Sequence, residues 1–203
     1  GVLNLLESYK EVCPKAKFYQ ASSSEMFGRS VDDDGYQRET TRMEPVSPYG
    51  CAKVFGYNIV KHYRYAHNLF AVNGILFNHE SPRRGTNFVT NKVVKSAVKI
   101  KLGLQNTLEL GNMDSYRFVV ATGVTHSVRE MCDYVFRKLD LDYEDYVVQN
   151  PKFLRAEELK YLRGDCSKIK NVLGWEPDYS FGGLMDEMVE YWLNYYKKNM
   201  GDK

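Results

Sequence analysis

Between Gln20 and Lys53 the chain sets a hydroxyl, a carboxylate, a phenol and an amine in an order that chemistry can use. The first run is Gln20-Ala21-Ser22-Ser23-Ser24-Glu25-Met26-Phe27-Gly28; after a polar loop comes Ser47-Pro48-Tyr49-Gly50-Cys51-Ala52-Lys53. Tyr49 and Lys53 are four residues apart, which places them on one face of a helix. An ammonium one turn from a phenol, with the positive end of the helix dipole close by, favours the phenolate, whose reference pKa of about 10 is otherwise too high for a base at neutral pH. Tyr49 is therefore suited to take a proton from a substrate hydroxyl. Spacing alone discriminates little, because the chain has 16 tyrosines, and Tyr57/Lys61 and Tyr134/Lys138 repeat the interval. Those two pairs read as ordinary helix faces. Tyr49/Lys53 differs in having a Ser-Pro helix start and the Ser-Ser-Ser-Glu run upstream.

The elements that must position these groups are legible in outline. Phe18-Tyr19 reads as the end of a strand and Gly28 can turn the chain away, so the Ser/Glu cluster is expected at a strand's C-terminal edge, where open α/β sheets bind ligands. Ser47 is a plausible N-cap and Pro48 suits the first helical position, predicting a helix to about His67. Val72–Phe77, broken by Asn73 and Gly74, reads as a buried strand that delivers Asn78 and His79 to its end. A second amphipathic helix is predicted from Asn87 to about Leu102, then a short strand at Leu108-Glu109-Leu110. Ser127 with Glu130 forms a capping box for a helix to about Leu139. Another helix starts at Asp165–Lys168 and ends at Gly174 and Pro177, and the last spans roughly 181–198 with Tyr191, Trp192, Tyr195 and Tyr196 as packing residues. An opening helix follows from Val2, Leu5, Leu6 and Tyr9, and residues 31–46 read as a surface loop of solvated charge.

Composition bounds the class. A chain of 203 residues, 43% hydrophobic and 27% charged, can bury one good core. With 28 basic and 26 acidic residues, nothing points to nucleic acid or a membrane surface, and no apolar run approaches the roughly 18 residues of a membrane span. Cys13, Cys51, Cys132 and Cys166 lack metal-ligand spacing and read as free thiols in a reducing compartment. No metal site is expected.

A hydroxyl and Glu at a strand end, with Tyr-x-x-x-Lys on the next helix, resembles the extended short-chain dehydrogenase/reductase enzymes that act on sugar nucleotides. The run Phe77-Asn78-His79-Glu80-Ser81-Pro82-Arg83-Arg84-Gly85 narrows this. Preceded by Asn73-Gly74-Ile75-Leu76 and followed by Phe88-Val89-Thr90, it is similar to GDP-mannose 4,6-dehydratases, and the resemblance covers almost the whole chain. It implies an α/β fold: a Rossmann-like doubly wound parallel sheet whose first strands are absent from this sequence, with a smaller C-terminal α/β substrate lobe. Residues 1–77 and 118–139 would belong to the NADP-binding lobe, and 78–117 and 140–203 to the sugar-nucleotide lobe.

The same resemblance implies conversion of GDP-mannose to its 4-keto-6-deoxy product, the first step toward GDP-fucose and other GDP-deoxyhexoses, by a cytoplasmic homodimer or homotetramer using NADP, or NAD. It implies Ser23, Glu25, Tyr49 and Lys53 as catalytic, and Tyr49, Lys53, His79 and Arg84 as cofactor-binding. Ser24, Asn78, Val89, Lys92, Arg117, Arg155 and Glu158 would hold the GDP-sugar. Arg83 and Arg84 suit phosphate in their own right, since guanidinium forks match its geometry. Departures from the family pattern are Ser23 in place of Thr, Ala156 in place of Pro, a short insertion between Glu25 and Tyr49, and no G-x-G-x-x-G or G-x-x-G-x-x-G loop to anchor a pyrophosphate. The chain is expected to begin inside the fold. After Arg117 the family continues with a helical segment, whereas here residues 118–123 match the family's next strand, so a stretch is expected to be missing at this junction. Within GDP-sugars a heptose remains an alternative to mannose. Epimerases and decarboxylases share Tyr-x-x-x-Lys without the carboxylate, deoxythymidine-diphosphate-glucose dehydratases pair Asp with Glu where this chain has Ser24-Glu25, and a non-catalytic sugar-nucleotide-binding protein is the remaining alternative.

Overall fold

The computed structural model describes residues 1–114, 122–154 and 163–200. β1 (Phe18–Ser23) and β2 (Ala71–Leu76) pair in parallel, from Phe18 opposite Ala71 to Ser23 opposite Leu76. A parallel pair requires a crossover, and α2 (Pro48–Ala66) supplies it. Its start is capped as expected: the Ser47 hydroxyl accepts from the Gly50 N–H, and Pro48 occupies the first turn. α1 (Val2–Val12) lies against α2, where Leu6, Tyr9, Val60, Tyr63, Leu69 and Ala71 form a small buried cluster.

β1 begins, rather than ends, at Phe18-Tyr19. Serines read as loop residues, yet Ser22 and Ser23 lie in the strand because each polar group has a partner: the Ser22 hydroxyl donates to Asn73 Oδ1 on β2 at 3.2 Å. Asn73 in turn donates to the Tyr57 carbonyl of the crossover helix at 3.1 Å, so the residue that interrupts the apolar run ties strand to helix. Gly74 is required by the Tyr19 ring that covers it; a Cβ there would overlap the phenol.

The second lobe comprises α3 (Val89–Lys101), β3 (Leu108–Leu110), α4 (Val128–Lys138), β4 (Val147–Gln149) and α6 (Phe181–Met200), with α5 (Ser167–Leu173) preceding α6 in the chain. β3 and β4 pair in parallel, Leu108 opposite Val147. The main core lies here, with Val93, Val94, Ala97 and Val98 of α3 packed among residues of α4 and α6. The described part of 118–139 contributes α4 to this core. Met131, Cys132, Val135 and Phe136 of α4 are fully buried in the second core, not against β1 and β2. Each large apolar side chain contributes roughly 1.5–3 kcal/mol on burial, so α4 is held chiefly by its packing with α3 and α6. The strand matched over 118–123 falls mostly outside the described residues.

The loop from 31 to 46 is more ordered than solvated charge. Gln37 and Thr41 are buried, and the Gln37 backbone forms a parallel bridge at Gly164, its N–H donating to the Arg163 carbonyl at 2.7 Å and its carbonyl accepting from the Asp165 N–H at 3.0 Å. Arg38 donates to Asp32 at 2.9 Å, to Asp34 at 2.6 and 2.9 Å and to Asp165 at 2.7 Å. Gly164 itself lies against the Phe77 ring at the end of β2, where a Cβ would sit 2.6 Å from a ring carbon. The loop therefore joins the β1 edge to the segment that precedes α5.

Candidate active site

The end of β1 passes into a single 3-10 turn, Ser24–Met26, with Ser23 as its cap: the Ser23 hydroxyl oxygen accepts from the Glu25 N–H at 3.2 Å. Gly28, with φ +56°, then turns the chain against Glu44 and Pro45, where any side chain would collide with backbone. The turn holds Ser24 buried and leaves Ser23 and Glu25 half-buried. One Glu25 oxygen accepts from the Ser47 hydroxyl at 3.0 Å, so the carboxylate is fixed to the N-terminus of α2. The approach is close: a Cβ on Gly50 would lie 2.8 Å from the Glu25 carbonyl oxygen.

Tyr49 is 52% exposed on the first turn of α2, and Lys53 Nζ lies 5.4 Å from the centre of its ring. Lys53 also donates to the Ala21 carbonyl of β1 at 2.7 Å. The same ring-to-ammonium distance, 5.4 Å, recurs at Tyr57/Lys61. Helical spacing alone is enough to produce that geometry; what marks Tyr49/Lys53 is the strand edge beside it. Tyr134/Lys138 has a structural role, because Tyr134 and Lys138 both donate to Asp186 of α6, at 3.1 and 3.0 Å.

β2 ends beside β1, and His79 follows three residues later, exposed, with Nδ1 3.2 Å from the Phe77 carbonyl. Asn78, half-buried, precedes it. Arg84 lies 3.5 Å from the buried Glu80 carboxylate and 3.6 Å above the centre of the Phe88 ring. Burial pushes the Glu80 carboxyl above the usual carboxylate range, against the opposing pull of Arg84, Thr90 and His79. Val89 opens α3, whose cap residue Phe88 offers no side-chain acceptor. Lys92 on the next turn donates to the Glu109 carbonyl at 2.6 Å and lies 4.2 Å from the centre of the Phe153 ring. Ser23, Glu25, Tyr49 and Lys53 are thus brought together at one strand edge, while Val89 and Lys92 belong to the second lobe. Arg117, Arg155 and Glu158 lie outside the described residues.

Sequence reasoning gave no role to Asn91. It is fully buried, donates to the Arg84 carbonyl and accepts from Trp192 Nε1 at 2.6 Å, so it links the arginine loop to α6. A polar residue among the apolar positions of a predicted amphipathic helix was the available signal. Ser47 was legible as a cap, but its second bond, to Glu25, was not.

Comparison with known proteins decides the family. A sequence model described as GDP-mannose 4,6 dehydratase matches residues 1–118 and 115–188. The chain belongs to the GDP-mannose 4,6-dehydratase family. It is 40% identical over 232 residues to GDP-mannose 4,6 dehydratase of Cricetulus griseus, covering 94% of this chain and 62% of that protein. It is 40% identical over 225 residues to GDP-mannose 4,6 dehydratase 2 of Arabidopsis thaliana, covering 98% and 60%. The chain therefore spans about six-tenths of the length of these relatives. The Cricetulus match extends over 232 positions against a chain of 203, so that relative carries residues within the matched span that have no counterpart here. The two matched segments of the family model meet at 115–118, beside Arg117. Among solved structures, RMD from Pseudomonas aeruginosa complexed with NADPH superposes with a TM-score of 0.85 at 20% identity, over 96% of this chain and 72% of that one. The dTDP-glucose 4,6-dehydratase of Bacillus anthracis in complex with NAD gives 0.80 at 21%, over 97% and 67%. These likenesses show the α/β fold with parallel strands that the family's sequence pattern implies. Among the described residues no helix is long and apolar enough to cross a membrane.

Proposed function

We propose that the protein is a GDP-mannose 4,6-dehydratase, a hydro-lyase that converts GDP-mannose to the GDP-4-keto-6-deoxy sugar. The observation that carries this reading is the pairing of two chemistries at one edge. A Tyr-Lys pair suited to oxidising a carbinol shares the N-terminus of α2 with a carboxylate, Glu25, bonded to that same N-terminus. An epimerase needs only the first of these.

The residues present suit the nicotinamide end of a dinucleotide: an exposed phenol, an ammonium anchored to β1 and, past β2, a histidine and an arginine. Tyr49, Lys53, His79 and Arg84 would hold NADP, or NAD, there. When bound, that cofactor supplies a hydride acceptor for C4 and later a hydride donor for C6. Tyr49 takes the O4 proton, with the Lys53 charge stabilising the resulting phenolate, and the Ser23 hydroxyl, whose oxygen is already occupied by the Glu25 N–H, donates toward the forming 4-keto oxygen. The 4-keto group acidifies the C5–H bond. Glu25 removes that proton, the electron pair passes to the keto oxygen as an enolate, and the C6 hydroxyl leaves as water with a proton from Glu25 or Ser23. Reduction at C6 would be completed by a proton at C5, matched in count by the one that Tyr49 took from O4, so net oxidation is zero. Ser24, Asn78, Val89, Lys92, Arg117, Arg155 and Glu158 are assigned to the GDP-sugar on the family pattern. A cytoplasmic location is supported by four free cysteines, two of them exposed. A homodimer or homotetramer is the assembly implied by the resemblance, and light scattering decides between them.

Incubation with GDP-mannose and NADP, followed by mass, tests the reading. The expected product has lost one water, and Glu25→Gln forms the keto sugar without that loss. Epimerised sugar of unchanged mass, or equal dehydration by Glu25→Gln, would overturn it.

A further inference from the structure

We infer that Ser47 is a positioning residue for dehydration: its hydroxyl holds the Glu25 carboxylate in place as the base at C5. The inference rests on the proposed role of Glu25. The geometry is that of one hydroxyl used in both directions. Ser47 Oγ accepts from the Gly50 N–H at 3.0 Å, in the first turn of α2, and its proton goes to a Glu25 oxygen at 3.0 Å. The two bonds run in series, so the partial positive charge of the helix N-terminus reaches the carboxylate through Ser47. Three contacts close this corner. Gly50 passes 2.8 Å from the Glu25 carbonyl oxygen and 2.9 Å from Pro45 Cβ, measured from the position of an ideal Cβ, and Glu25's own N–H is taken up by Ser23. The carboxylate has two oxygens, and among the described residues Ser47 engages one of them, which leaves the other as the atom that would move the proton. A glutamate side chain with three rotatable bonds, in a half-buried site, would otherwise sample several rotamers, and orientation governs the rate of proton removal from carbon.

A plain N-cap role makes a different prediction from a base-positioning role, because Tyr49 is only two residues beyond Ser47. If Ser47 served only to start the helix, its loss would displace Tyr49 and slow C4 oxidation. If it positions Glu25, C4 oxidation survives and the later step fails. Glycine is a good N-cap and has no hydroxyl to offer Glu25, so Ser47→Gly separates the two; Ser47→Thr retains both bonds.

The test is single-turnover kinetics of the full chain with GDP-mannose and NADP, following reduced nicotinamide for C4 oxidation and product mass for dehydration. Ser47→Gly is expected to oxidise C4 within about two-fold of wild type and to dehydrate about 10–50-fold more slowly, so that keto sugar and reduced cofactor accumulate. Ser47→Thr restores dehydration to within about three-fold. In a Glu25→Gln background Ser47→Gly has no further effect, since the group it acts through is gone. Equal slowing of both steps by Ser47→Gly, no slowing of either, or an added loss in the Glu25→Gln background would each overturn the inference. If Glu25→Gln dehydrates normally, the role of Glu25 fails first and the inference with it. Wild-type chain that does neither step removes both.

Discussion

Lys53 serves two partners, and that sets what its replacement should do. Its ammonium donates to the Ala21 carbonyl of β1 and lies one turn from the Tyr49 phenol. Lys53→Met keeps the aliphatic stem but removes the charge and the strand anchor together. The expected result is C4 oxidation slower by roughly 10²–10³-fold, in line with loss of proton-transfer assistance. The expected stability cost is only about 1 kcal/mol, since the bond is partly exposed. Absorbance of reduced nicotinamide and urea unfolding measure the two effects separately. Lys61→Met, at the same ring-to-ammonium distance from Tyr57, is expected to leave turnover within about two-fold, and a loss comparable to that of Lys53→Met would refute the assignment of Tyr49/Lys53. At this scale the sequence was informative because chemistry-bearing residues declare their type. It was uninformative wherever one side chain has two partners: Ser47 reads as a cap, Asn91 carries no readable role, and only three-dimensional proximity shows Glu25 beside one and Trp192 beside the other.

Helices with explicit end signals were legible nearly to the residue. Ser47-Pro48 starts α2, and Ser127 with Glu130 forms a complete capping box on α4, each accepting from the other's backbone N–H at 3.0 and 2.8 Å. Gly174, with φ +64°, closes α5. Strands fared worse. β1 was placed too early because its C-terminal half is Ala-Ser-Ser, whose strand character comes from β2 rather than from its own side chains. β4 is three residues long, too short to show a period, and exists because Val147–Gln149 find the backbone of Leu108–Leu110. The packing partners of α4, which are α3 and α6, were hidden for a similar reason: an amphipathic helix shows that it has a buried face, not what covers it. The capping box carries an energetic expectation. Ser127→Ala should lower unfolding stability by about 1 kcal/mol, with a smaller loss for Ser127→Gly, read from the urea midpoint at unchanged slope. Because α4 packs with α3 and α6, amide exchange should quicken in those helices before it does in α1 or β1. Quickening first in α1 and β1 would show that α4 is not coupled chiefly to α3 and α6.

Across the whole molecule, the contact between the loop at 31–46 and the segment leading into α5 makes stability depend on pH in a definite direction. Hydrogen bonds from Arg38, with help from the Tyr36 N–H, hold the Asp34 carboxyl down at about 2. The Ser167 hydroxyl and N–H, with Arg38, hold Asp165 below the usual carboxylate range. A carboxylate whose pKa is lower in the folded than in the unfolded state contributes stability above its unfolded value, about 3.9 for aspartate, and loses that contribution as pH falls through the folded value. The clasp is therefore at full strength from about pH 5 upward and weakens between about pH 4 and 2. Both carboxylates are solvent-accessible, so salt should reduce the effect. Arg38→Ala is expected to lower the melting temperature at neutral pH and to flatten its decline over the acid range, because the groups whose protonation breaks the clasp have already lost their partner. Arg163, whose guanidinium lies 4.1 Å from the Tyr36 ring and donates to the Gly123 carbonyl at 2.8 Å, secures the same segment without a carboxylate, so part of the attachment persists in acid. Melting curves of wild type and Arg38→Ala between pH 2 and 7, at low and high salt, test this. Parallel curves for the two proteins would show that the loop is held by Gln37 and Arg163 alone and that the charges are surface decoration.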